Sequence, residues 1–105
     1  MEQYFAYENT GNGKKVYPWL INMQHPVANV MKHVLVAPAI ELDNLAGSNL
    51  PAKVCPVVEI AGKSCVVMMH MMSGIPAKEI GESVADLTDK RASLRDALDF
   101  LINGY

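Results

Sequence analysis

Apolar residues recur at helical spacing in one stretch of this chain, and that stretch comes last. Leu94, Ala97, Leu98 and Leu101 stand at i, i+3, i+4 and i+7, behind Thr88 and Asp89, either of which can cap a first turn. Asn103 and Gly104 accept left-handed geometry, so the helix is expected to finish there and leave Tyr105 at an exposed tip. Before it, the first 75 residues break into short β-forming runs separated by turn residues. A late helix with a single apolar stripe needs a sheet to pack on. The expected architecture is therefore mostly β, a small and strongly bent antiparallel sheet or barrel with a C-terminal α-helix.

The runs can be read one by one. Gln3 to Tyr7 is rich in β-formers, and the turn-tolerant stretch Asn9-Thr10-Gly11-Asn12-Gly13 leads to a second run from Val16, which predicts a hairpin. From Tyr17 to Gln24, Tyr17, Trp19, Ile21 and Met23 alternate, placing Asn22 and Gln24 on the other, solvated face, with Leu20 breaking the pattern. Val34 to Ala37 predicts a short strand stopped by Pro38, since proline cannot donate to a ladder. A loop holding Gly47, Ser48 and Pro51 follows. Val57 to Ile60, the turn Ala61-Gly62-Lys63-Ser64 and Cys65 to Met69 predict a second hairpin with both faces covered.

At 105 residues, half of them hydrophobic, residues 1–105 are expected to form a single domain. Nine Lys+Arg against eleven Asp+Glu give a net charge of −2 with no basic cluster, which argues against tight nucleic-acid binding of its own. No apolar run approaches the ~20 residues of a membrane span, and Met1-Glu2-Gln3 does not begin a basic leader, so no membrane association and a cytoplasmic location are expected. Cys55 and Cys65 fit buried free thiols in a reducing compartment.

Catalytic chemistry needs titratable groups that converge, and His25, His33 and His70 come with no supporting motif. A metal site made of Cys55, Cys65 and His70 would be incomplete. The run Met68-Met69-His70-Met71-Met72 reads as strand, with Met68, His70 and Met72 on one face and core or subunit packing as its use. Gly11 and Gly13 read as turn residues, and Glu79, Glu82, Asp86 and Asp89 as a solvated face. No catalytic residue, metal or cofactor is expected, and the chain is not expected to be an enzyme.

Pro56-Val57-Val58-Glu59-Ile60, then Ser73 and Pro76, then Ile80-Gly81-Glu82-Ser83-Val84-Ala85-Asp86-Leu87, then Arg91 and a helix closing on Phe100-Leu101-Ile102-Asn103-Gly104, resemble in order and spacing the CcdB family of toxins from bacterial ccd toxin–antitoxin modules. The resemblance spans nearly the whole chain and is dense from Pro56 to Gly104. It implies an SH3-like small barrel of the CcdB/MazF (Kid) type with a C-terminal helix, assembled as a homodimer whose helix ends lie side by side. It further implies that these ends enter the cleft of the DNA gyrase A subunit dimer and trap the DNA-cleaved state.

The positions that match the family's gyrase contacts are Asp99, Ile102, Asn103, Gly104 and Tyr105, with Val27 and Ala28 in an earlier loop. Asn103 stands where the best-known pattern has tryptophan, and Tyr105 where it has isoleucine. A CcdA-like antitoxin is implied as well, with a disordered arm that folds onto the toxin; operator DNA is bound only through their complex. Met68 to Met72 and the loop from Glu41 to Leu50 are candidate surfaces for that arm. An endoribonuclease on the same fold and a non-toxic antitoxin-binding homologue are the alternatives, since fold does not fix function.

Overall fold

A computed structural model describes residues 1–26, 30–45 and 50–104. Among these residues, seven strands form one antiparallel sheet: β1 (Phe5–Asn9), β2 (Trp19–Asn22), β3 (His33–Glu41), β4 (Val57–Ile60), β5 (Lys63–Val67), β6 (Ser73–Pro76) and β7 (Ile80–Asp86). Their order is β4-β5-β3-β2-β1-β7, with β6 also paired to β3. The chain closes with α1 (Arg91–Asn103). This is the curled antiparallel sheet with one terminal helix that the punctuation of the sequence predicts.

The curl depends on β3. It runs nine residues, through Pro38, where the sequence predicts a stop. One edge pairs with β2. The other meets β6 from His33 to Val36 and β5 from Ala39 to Glu41. The Pro38 carbonyl accepts Met68 N–H at 2.8 Å, so its side without an N–H faces the gap where one partner gives way to the next. A proline in mid-strand therefore breaks no ladder bond.

A single core cluster joins the inner face of the sheet to the helix, with Ala6, Ile21, Ala37, Ala39, Val58, Ile60, Val67, Leu94 and Ala97 among its members. Leu20, Val34 and Val36 form a second cluster with Ile75 and Ile80. Leu20 breaks the alternation because β2 is covered on both faces, and for the same reason Asn22 is fully buried where a solvated face was expected. In the first hairpin, Val16 stays outside the strand and exposed; the connection is longer, and the Asn9 side chain folds it by bonding Gly11 N–H and Tyr17 O.

The second hairpin turns on Ala61 and Gly62 alone, both at positive φ (53° and 79°), which is the geometry of a two-residue hairpin loop. Its β4 is covered on one face only, since Val57 and Glu59 are exposed. The methionine run is not strand. Met69–Met71 form a 3-10 turn packed against α1, with Met69 fully buried in the core and Met71 exposed. The local sequence does not mark β6 or β7 as strand, yet β7 pairs along the whole of β1. Neither Thr88 nor Asp89 caps α1: Lys90 occupies that position without a side-chain bond, and Thr88 instead donates its N–H to Asp86 Oδ1 where the preceding 3-10 turn begins.

Candidate functional site

The helix outruns the sheet that carries it. Leu94 and Ala97 are buried, Leu98 is half-buried, and beyond them Leu101 is 43% and Ile102 69% exposed. Asp99, Asn103 and Gly104 are exposed as well. Gly104 ends the helix in the left-handed conformation (φ 81°), donating its N–H to Phe100 O at 2.8 Å. That bond satisfies the Phe100 carbonyl, one of those that a helix C-terminus otherwise leaves to solvent. Four of the predicted contact residues thus share one exposed tip. Tyr105, Val27 and Ala28 lie outside the described residues.

One side of the tip is braced. Phe100 is half-buried, the Lys53 ammonium sits 5.4 Å from its ring centroid, and both border a groove of about 680 Å³ lined by Pro56, Val57, Asp96 and Gly104. A lysine over a ring at the surface contributes ~0.5–1 kcal/mol, enough to bias the ring without fixing it.

The chain leading to Val27 and Ala28 is anchored by the buried Asn22. Its Nδ2–H donates to Glu2 O at 3.1 Å, its Oδ1 accepts Gln24 N–H at 2.9 Å, and its carbonyl accepts Tyr4 N–H at 2.7 Å. Gln24 Oε1 in turn accepts Leu35 N–H at 3.2 Å. Tyr4 takes a left-handed φ of 65°, unusual for a residue with a Cβ, and is held there because Leu87 N–H also donates to its carbonyl. The N-terminal segment is thereby folded back against Gln24–Pro26.

Across from these segments stand Arg91 and Arg95, four residues apart on α1. They line a second groove of about 680 Å³ with Gln3, Tyr4, His25 and Thr88. The spacing was visible in sequence; the opposite wall, brought from the other end of the chain, was not.

The groups with chemical potential are dispersed. His25 borders the arginine groove, His33 begins β3, and His70 lies in the methionine turn with Nδ1 3.5 Å from Cys55 Sγ. Both cysteines are free and buried, and burial pushes both thiols above their ordinary range, so they stay protonated rather than nucleophilic. No cluster of three His, Cys, Asp or Glu forms a metal-ligand set among the described residues. Also among them, no helix is long and apolar enough to cross a membrane. Of the two surfaces suggested for an antitoxin arm, the methionine run is a turn under the helix rather than an open strand edge. The other begins with a 3-10 turn at Leu42–Leu45 and continues into residues 46–49, outside the described set. What the described residues bring together is an exposed helix end with a groove on either side of it.

Residues 3–104 match the family model described as CcdB protein. Among solved structures the chain is similar to the Mycobacterium tuberculosis toxin MazF-mt6, with a TM-score of 0.73 and 15% identity over 94% of this chain and 96% of that one; the likeness concerns the fold. No curated protein sequence matches it.

Proposed function

The chain belongs to the CcdB family of toxin–antitoxin toxins, and on that premise we propose that it binds the DNA gyrase A subunit and traps the gyrase–DNA cleavage complex. The observation that carries this reading is the projecting helix end, where Ile102 is 69% exposed beside Asp99, Asn103 and Gly104. Large apolar side chains left in water at a capped, ordered terminus suit an interface that fills on binding. Gly104 has nothing within 4 Å of its Cβ direction, so this end of the helix is open to solvent.

In this reading the protein acts as a cytoplasmic homodimer, with paired helix ends inserted between the two gyrase A subunits, and by binding alone, without turnover, metal or cofactor. Val27, Ala28 and Tyr105 complete the contact. A CcdA-like antitoxin strips the toxin from gyrase, and the two together repress their operon.

The test is incubation of the purified protein with bacterial gyrase, ATP and supercoiled plasmid, followed by detergent and protease. Linear DNA is expected with the natural chain and not with Ile102→Asp. A folded natural protein that yields no linear DNA on gyrase from several bacteria would remove this function.

A further inference from the structure

The groove on the far side of the helix from Phe100 is lined by both of the chain's arginines, in a protein whose net charge is −2. Arg91 and Arg95 are exposed, and neither forms an ion pair with a described residue; the ion pair there is Lys63–Glu41, on other elements. Glu2 is the one carboxylate among the lining residues, so the groove holds two permanent cations against one anion. Its other wall does not depend on the arginines for its position, being fixed by the Asn22 bonds to Glu2, Tyr4 and Gln24. Arg91, Arg95, Asp99 and Ile102 follow one another at steps of four, four and three, so the arginines continue the face that bears the exposed tip.

We propose that this groove docks an acidic segment of the protein that the helix tip engages, the two guanidinium groups receiving two carboxylates about one helical turn apart while Ile102 enters the partner's apolar cleft. This rests on the reading of the tip as a partner-binding element and adds a second, electrostatic contact to it. Two cations beside a glutamate are too few for a nucleic-acid backbone, whose binding rests on several neutralised phosphates. They suit paired carboxylates, which guanidinium forks receive in bidentate fashion. Contacts of this kind at the rim of an interface act mainly on the rate of encounter.

Two measurements test the groove. In the first, association of the natural protein and of an Arg91→Glu/Arg95→Glu variant with gyrase A subunit is followed across ionic strength. The variant is expected to associate at least tenfold more slowly at low salt and to lose most of the salt dependence, with its melting temperature unchanged; equal rates would overturn the proposal.

The second measurement does not depend on gyrase. A capped nine-residue peptide with glutamates four apart is titrated into the ¹⁵N-labelled protein. Salt-sensitive shifts at Gln3, Thr88, Arg91 and Arg95 in the natural chain, absent in the variant, support the groove even if gyrase itself is not the partner. No shifts at millimolar peptide, or stronger shifts with a single-stranded oligonucleotide, would overturn it.

Discussion

The two halves of α1 are made of similar residues and meet opposite fates. In the first half Leu94 and Ala97 are sealed into the sheet; in the second Leu101, on the same apolar stripe, is 43% exposed and Ile102 stands out further. Helical periodicity extends the stripe as far as Leu101, but the sheet ends before it does. An apolar stripe predicts burial only as far as there is something to bury it against. What continues past the core stays in solvent, and the exposed stretch holds Asp99, Leu101, Ile102, Asn103 and Gly104.

The contrast predicts a gradient in the effect of mutation. Leu94→Ala should cost about 3 kcal/mol, because a fully buried leucine leaves a cavity among Ile21, Ile60 and Met69 in a rigid sheet. Urea denaturation followed by tryptophan fluorescence would read it, and a loss below about 1 kcal/mol would mean that helix and sheet are packed more loosely than described. Asn22→Ala should cost about 2 kcal/mol by leaving Gln24 N–H and Glu2 O without their partner. Its amide exchange should rise at Tyr4 and Gln24 while the β4–β5 hairpin stays protected. Gly104→Ala should cost about 1 kcal/mol, all of it backbone, since the φ of 81° disfavours a Cβ that would otherwise meet nothing. A neutral result by thermal melting would mean that the helix ends another way in solution.

The same contrast explains what could be read in the sequence. The helix was legible because its stripe repeats over two turns, and the second hairpin because Ala61 and Gly62 permit a tight turn between apolar runs. β6 and β7 were not: Ser73-Gly74-Ile75-Pro76 holds two poor strand formers, and β7 mixes Gly81, Glu82 and Ser83 with apolar residues because it is only half covered. Their pairing is imposed by β3 and β1 across long stretches of chain. Pro38 misled because the cost of proline depends on which edge its missing donor faces, and Asn22 because an asparagine that bonds backbone groups of Glu2, Tyr4 and Gln24 looks in sequence like any solvated residue. The methionine run followed the shape of its pocket rather than a period. At the site, the tip could be found from the chain end and the family resemblance. The arginine groove could not, since its second wall exists only once Tyr4 has turned the N-terminus back.

Between the sheet and the helix, Asp86 marks the junction of the two regimes. The Thr88 hydroxyl and the Thr88 N–H both donate to its Oδ1, at 2.7 and 2.9 Å, and hold the carboxyl below its ordinary value of 3.8. The stabilisation this gives is present above that ordinary value and lost as pH falls through the lower, folded-state one. It is small, because the group is fully exposed. Thr88→Ala removes the shorter of the two bonds, and the Asp86 side-chain signals should then titrate at higher pH by NMR; an unchanged midpoint would show that the hydroxyl does not hold the carboxylate in solution.

At the end of the gradient stands Ile102. Ile102→Asp should change the unfolding free energy by no more than about 1 kcal/mol, since a side chain already in water has little burial to lose. Asp is a weaker helix former than Ile by only tenths of a kcal/mol, and a negative charge near a helix C-terminus adds a penalty of similar size. The same substitution should abolish trapping of cleaved DNA, because the apolar contact of the tip becomes a charge that has to be desolvated. These two readings on one variant separate the halves of the helix. A large loss of stability would place Ile102 in a subunit interface of the free protein, making the dimer rather than gyrase what covers it. Stability and trapping both kept would show that the projecting turn is not the part that enters the partner.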